Sequence, residues 1–437
     1  MPRPKPDPTK ANVTIADSTR KYMTEGIRYV CETFTKRLPG TQSERDAQAF
    51  FKEELSGYSD EVIMEDFTLH PRAFMGYMPI AALFILAAIP LFLFSNGNVL
   101  LAILGAALPF LAVLMFLFEF LFYRNFVDFL FPKRVSRNVY AVRKPSGEVK
   151  KRIIFGGHTD ACNEWRYSWM AEKTGVAIAI AGGVFGLLTG LVANLVNAAY
   201  TIACAMYDMD VAGKWQGGWL VWSILLLCTI PFGFGIAFFV NYKVIVDGAN
   251  DNLSANYIAM SVLKEMHESG VRFEHTEVGC LLTGAEESGL RGAKAFAKKH
   301  KAELSDPAVD TVFISLDTMR EIEELRVCNF GCTGTVKNDK AVGALIREAG
   351  RACGIEIPDS ELYPGAVDAE AFSMYGLRSS GLTGVSHDAK RYYHTRMDTP
   401  DNLDEDCLAV SLNICKEAAR IFDEQGAGVS VAGAAVG

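Results

Sequence analysis

Four long runs without a charged side chain constrain this sequence more than any other feature. They cover residues 78–94, 98–118, 175–207 and 215–242. A helix that crosses a bilayer needs about 20 apolar residues, with a range of about 17–25, and all four runs reach it. Buried helices of soluble enzymes rarely exclude charge beyond about 14 residues, so the runs predict four transmembrane helices. Tyr77, Tyr123, Tyr200, Tyr207, Trp215, Trp219, Trp222 and Tyr242 mark their flanks, as in an aromatic headgroup belt. The runs fall in pairs. Ser95-Asn-Gly-Asn98 joins the first pair as a tight hairpin, and a short loop around Asp208, Asp210 and Lys214 joins the second.

Paired spans return the chain to the side it left, so the polar segments before, between and after them share one face of the membrane. Arg72, Arg124, Lys133, Arg134, Lys173 and Lys243 flank the spans on that face, whereas the hairpin side carries only Lys214. The positive-inside rule therefore predicts a multi-pass integral membrane protein with its polar domain on the cytoplasmic side. The lipid bilayer is an expected partner, and the apolar helices offer surfaces for oligomer formation. The proline-rich N-terminal stretch has no apolar h-region, so no cleavable signal peptide is expected. Ten scattered cysteines without a CxxC pair read as reduced, structural thiols. A net charge of -8 argues against nucleic acid as a partner.

With the hairpins set aside, the rest of the 437-residue chain alternates strands and helices. Strands are expected at 61–69, 138–142, 152–155, 276–283, 311–316 and 377–383. Helices are expected at 43–55, 254–269, 289–300, 341–353 and 406–423. This alternation predicts an α/β domain whose mostly parallel sheet is sandwiched by helices, with ligands bound beyond the carboxyl ends of the strands. The expected division is a polar α/β domain at 1–76, 124–174 and 243–424, hairpins at 77–123 and 175–242, and a disordered low-complexity tail at 425–437.

Ligand-capable side chains collect at those strand ends. His158 and Asp160 follow the strand expected to end at Phe155, and Asp251 lies in the turn GANDN before a helix. Glu286 and Glu287 follow Thr283 in GAEESGL, Asp317 ends VFISLD, and His394 lies in YYHTRMDTPDNL. Each alone is an ordinary turn or cap residue. Together they supply what two zinc ions need: N and O ligands, a bridging carboxylate, and a further carboxylate to serve as base.

The ordered set HTD, GANDN, AEESGL, SLD and YHTRMDTPDNL resembles the M28 family of dinuclear zinc peptidases, over a stretch from about Arg37 to about Ile421. Asp368-Ala-Glu-Ala-Phe372 also resembles that family's segment before its last core strand. The resemblance implies that Asp251 bridges two Zn2+, that His158 and Asp317 complete one site, and that Glu287 and His394 complete the other. It implies Asp160 as the carboxylate orienting His158. Glu286 is then the general base, acting on a metal-activated water, and Tyr393 a donor to the oxyanion. Manganese or cobalt could replace zinc in such an O/N-rich set.

The sequence departs from the family pattern at Leu253-Ser-Ala-Asn256, where a Ser-Gly is usual, and in its two hairpin insertions. The second insertion starts just after Cys162, so residues 162–170 are expected to wall the substrate cleft near the bilayer. The expected function is a membrane-anchored zinc exopeptidase, an aminopeptidase, acting on peptide substrates. Two alternatives remain open at this point: a glutaminyl-cyclase-like transferase using a single zinc, and a metal-free membrane scaffold or receptor.

Overall fold

The computed structural model describes residues 5–360, 365–386 and 392–427. The chain divides into two compact units, one of Met1–Pro71, Lys133–Asn163 and Val244–Gly437, the other of Arg72–Pro132 and Glu164–Lys243. Beyond Ala427 the expected disordered tail lies outside the described residues.

The first unit is built on a seven-stranded sheet. Its strands are β1 (Glu61–Leu69), β2 (Arg134–Arg143), β3 (Lys151–His158), β4 (Thr276–Thr283), β5 (Asp310–Met319), β6 (Arg326–Cys328) and β7 (Ser379–Gly384). They lie in the order β1-β2-β4-β3-β5-β7-β6. The central pairs β4–β3, β3–β5 and β5–β7 are parallel, and antiparallel strands close both edges.

The parallel strands are buried on both faces, as their near-continuous apolar sequences require. Every residue of Thr276–Thr283 is buried. Side chains alternate across the sheet. Val312, Ile314 and Leu316 share one core with Ile153, Phe155 and residues of helices Asp17–Thr33, Gln42–Ser56, Ser254–Glu268, Lys340–Ala352 and Glu405–Gln425. Phe313, between them, points the other way and stacks on Phe372 of helix Asp368–Met374 with ring centroids 4.1 Å apart. The helix at Asp17–Thr33 had no sequence-based expectation, because its apolar residues Met23, Ile27 and Val30 are few and spaced among charges.

Two strands run further than their apolar patterns indicate. β3 continues past Phe155 through Gly156 and Gly157 to His158, paired residue for residue with Cys280–Thr283. The two glycines allow this close approach: a Cβ on Gly156 would lie 2.3 Å from the Leu281 carbonyl oxygen, and one on Gly157 2.6 Å from Ala255 Cβ. His158 is thus a strand residue, held by ladder bonds. β5 likewise continues past Leu316, with Asp317 paired to Thr383 of β7.

The second unit contains four helices, Ala73–Phe94, Val99–Leu121, Arg166–Met206 and Gly217–Ala237, each long and apolar enough to cross a bilayer. Ala73–Phe94 and Arg166–Met206 begin earlier than their uncharged runs, since helical bonding does not stop where charge starts. Arg166–Met206 has non-helical backbone at Ala171 and Glu172, shortly before its apolar part. Lys214 is buried here. Its ammonium donates to Asn197 Oδ1 and lies 4.0 Å from the Trp219 ring centroid and 5.0 Å from that of Phe92.

Candidate active site

The carboxyl ends of β3 and β5 meet the loop Gly248–Leu253 and the start of helix Ser254–Glu268, and side chains from both fasten them. Asn252 Nδ2 donates to the Leu316 carbonyl at 3.0 Å, and the Thr318 N–H donates to Asn252 Oδ1 at 3.2 Å. Asn256 Nδ2 donates to the His158 carbonyl at 2.8 Å, and Ser254 Oγ accepts the Met319 N–H at 3.0 Å. The departure from the family pattern at Leu253–Asn256 therefore supplies two of the staples. Arg37, almost fully buried, adds a further tie: its Nε donates to the Thr159 carbonyl at 3.1 Å and its Nη2 to the Asp247 carbonyl at 2.6 Å.

These ties gather the sequence-predicted residues. Asp251 lies between the two imidazoles, with Oδ1 3.2 Å from His158 Nε2 and Oδ2 3.1 Å from His394 Nε2. On the His158 side, Asp317 Oδ2 is 3.9 Å and Glu286 Oε2 3.8 Å from the same Nε2. On the His394 side, Glu287 Oε1 is 3.7 Å from Nε2. Tyr393 packs its ring on His394, centroids 4.2 Å apart.

Asp160 sits differently from a simple orienting carboxylate. Its Oδ1 is 3.5 Å from His158 Nδ1, but its nearer partners are two successive backbone donors: Glu286 N–H to Oδ1 at 3.0 Å and Glu287 N–H to Oδ2 at 3.1 Å. Glu44 extends the pattern, accepting the Ala285 N–H at 2.9 Å through Oε1 and the Gly40 N–H at 2.6 Å through Oε2. Three consecutive N–H groups before and within Glu286–Ser288 thus face buried carboxylates, a concave anion nest. Asp398 treats the other loop in the same way. Its Oδ1 accepts the Asn250 N–H at 2.7 Å and its Oδ2 the Asp251 N–H at 3.2 Å.

Four further residues here have no individual role in the sequence reading. Glu44 lies in the helix expected from residue 43, Asp398 within YHTRMDTPDNL, and Asp368, whose carboxylate accepts from Thr283 Oγ1, in the segment that resembles the one before the family's last core strand. The fourth, Cys162, begins the stretch expected to wall the cleft. Its Sγ falls within 4.8 Å of ligand atoms of Glu287 and His394.

The cluster is rich in carboxylates and buried, and its proton affinities follow from this. Burial pushes the Glu286 carboxyl well above its ordinary value; His158 opposes this, and the Glu287, Asp368 and Asp317 carboxylates add to it. Burial likewise lifts Glu287 to about 7 and Asp317 to about 8. Burial alone would also raise Asp251, but hydrogen bonds to His158 and His394 hold it well below the usual range. Burial lowers the affinity of His394 for its proton, yet Glu287 and Asp251 bring it to about 9. A bound cation reverses these shifts by favouring every deprotonated form.

The donor set suits zinc. Two imidazoles and several carboxylates face one another, and Glu287 Oε1 is buried without a hydrogen-bond partner among the described residues. A buried carboxylate oxygen left without a donor is costly unless a cation faces it.

A mixed sheet with a parallel core, flanked by helices and carrying this donor set at its strand ends, is the architecture of zinc exopeptidases. Residues 236–419 match the profile of Peptidase family M28. No curated protein sequence matches the chain. Among solved structures, an aminopeptidase from Aneurinibacillus sp. strain AM-1 superposes with a TM-score of 0.51 at 14% identity, covering 95% of this chain and 94% of that one. A zinc aminopeptidase from Bacillus subtilis gives 0.52 at 12% identity, covering 93% and 95%. A glutaminyl cyclase from Fimbriiglobus ruber gives 0.51 at 13% identity, covering 94% and 98%. At 12–14% identity these likenesses are likenesses of fold.

Proposed function

We propose that the protein is a membrane-anchored, dinuclear zinc aminopeptidase. The observation that carries this is the position of Asp251, whose two carboxylate oxygens address the Nε2 atoms of two different histidines at 3.2 and 3.1 Å. His158, Asp251 and Asp317 would hold one ion, and Asp251, Glu287 and His394 the other. Zinc bound there would supply Lewis acidity and a water of lowered pKa.

The chain's own residues do the remaining work. Glu286, next in sequence to the ligand Glu287, is the base: its Oε2 lies 3.8 Å from His158 Nε2, at the edge of the cluster, where it would take a proton and return it to a leaving amine. Asp160 holds the backbone of both glutamates and so fixes the distance between base and ligand. Tyr393, whose ring packs on that of His394, would donate to a developing oxyanion. The substrate is a peptide with a free amino terminus. The four apolar helices anchor the enzyme in the bilayer, with the peptidase domain on the cytoplasmic side, as the distribution of basic residues supports.

The test is metal content and leucyl-anilide hydrolysis on detergent-purified protein, wild type beside Asp251→Ala. Two zinc ions in the wild type, activity abolished by chelator, and loss of both ions in the variant are expected. One ion with cyclisation of glutaminyl peptides would move the assignment to the transferase reading. No ion and no hydrolysis after zinc is restored would leave a scaffold.

A further inference from the structure

The sequence-predicted ligands divide unequally once the fold is formed. On the His158 side three donors converge: His158, Asp251 and Asp317, their ligand atoms within 4.8 Å of one another. On the other side His394 and Glu287 are joined by a third group of different chemistry, the Cys162 thiol, under the same distance limit. Cys162 is held in place. Its carbonyl accepts the Val246 N–H at 3.1 Å, and its side chain is 7% exposed, beside Ala161 and Val246. The Glu287 side chain that shares this cluster is 8% exposed, and its Oε1 has no hydrogen-bond partner among the described residues. Two independent features, a thiol and an unsatisfied buried carboxylate oxygen, therefore point into one place beside an imidazole.

We infer that Cys162 is a ligand of the second metal ion, completing a set of His394, Asp251, Glu287 and Cys162. This rests on the dinuclear reading above and deepens it. The thiol loses its proton to solvent as the ion binds, since only the thiolate coordinates. The two positions then differ in kind. Four protein donors close the second position in the manner of structural zinc, whereas three leave the first with room for water and substrate. The sulfur also makes the second position softer, so it selects zinc or cobalt over manganese, while the carboxylate-rich first position is less selective.

Cobalt(II) is the probe, because zinc is spectroscopically silent and a cobalt–thiolate bond gives an intense near-ultraviolet charge-transfer band. The full-length, detergent-purified protein is stripped, titrated with Co2+, and its metal content counted on the same sample. Two cobalt ions with that band in the wild type, and loss of the band in both Cys162→Ser and Cys162→Ala, are expected. Two ions without the band, or a band unchanged in Cys162→Ala, overturns the ligand assignment and leaves the dinuclear reading standing. One ion with the band keeps Cys162 as a ligand and overturns the dinuclear reading. No band and fewer than two ions overturns both. Zinc-edge X-ray absorption on the wild type needs no variant: a zinc–sulfur distance of about 2.3 Å supports the inference, and a shell of nitrogen and oxygen alone overturns it.

Discussion

Asp398 holds Asp251 by its backbone, accepting the Asp251 N–H through Oδ2 at 3.2 Å while Oδ1 takes the Asn250 N–H and side-chain amide at 2.7 and 2.9 Å. Asp398 touches neither histidine in these bonds, yet it sets where the Asp251 carboxylate stands. Asp398→Asn puts an amide where two donors need an acceptor. It should weaken zinc binding by about 10–100-fold, as expected for a group that orients a ligand. Chelator competition measures this directly, and unchanged affinity would show that the loop keeps Asp251 in place without help.

Glu286 and Glu287 are neighbours in sequence with different expected roles. Glu286→Gln should keep the full zinc content while kcat falls by about 10²–10⁴-fold with little change in KM. Glu287→Gln should lose one ion. Metal analysis beside steady-state kinetics separates the two, and loss of zinc in Glu286→Gln would remove it from the role of base.

The metal-free protein should lose stability as pH rises from 6 to 9. Glu287 and Asp317 have folded values of about 7 and about 8 against ordinary values of 4.5 and 3.8, and His394 about 9 against 6.5. A group whose folded value is raised contributes stability that is complete below its unfolded value and lost as pH passes the folded one, so all three act in the same direction. Asp251 has the opposite sign, but its contribution is lost only on strong acidification. Thermal melts of chelated protein across this range should show a falling midpoint, and zinc should abolish the trend. A midpoint that climbs with pH in the chelated sample would contradict the buried cluster.

Gly157→Ala probes the end of β3. The new methyl would lie 2.6 Å from Ala255 Cβ and 3.2 Å from both Asn252 Nδ2 and Asn256 Oδ1, the side chains that tie the Asp251 loop to the sheet. A cost of about 1–3 kcal/mol is expected from overpacking, read as a lower denaturation midpoint. Zinc affinity should fall with it, because the strain falls on the loop that carries the bridging carboxylate.

Sidedness can be read with epitopes. An insertion at Gly97 or Gly213 should be reached from outside intact cells, and one after Gly426 only after permeabilisation. The reverse pattern would place the peptidase domain outside.

Much of the fold was legible because its signals are local. Four uncharged runs specify four apolar helices, and fully buried strands such as Thr276–Thr283 stand out between helices of 3.6-residue period. The residues proposed as ligands were legible too, since imidazole and carboxylate at successive strand ends is a chemical pattern visible along the chain. What the sequence hid depends on partners far apart in it. Asp398 meets Asn250 across 148 residues, and Glu44 meets Ala285 across 241. Cys162 looks like any small buried hydrophobe until the sheet brings β3 and β4 side by side and the His394 segment against them. Side-chain chemistry and hydrophobic period are properties of the chain and can be read from it. Which carboxylate is held, which one holds it, and which thiol faces an imidazole are distances, and only the packed sheet and its loops decide those.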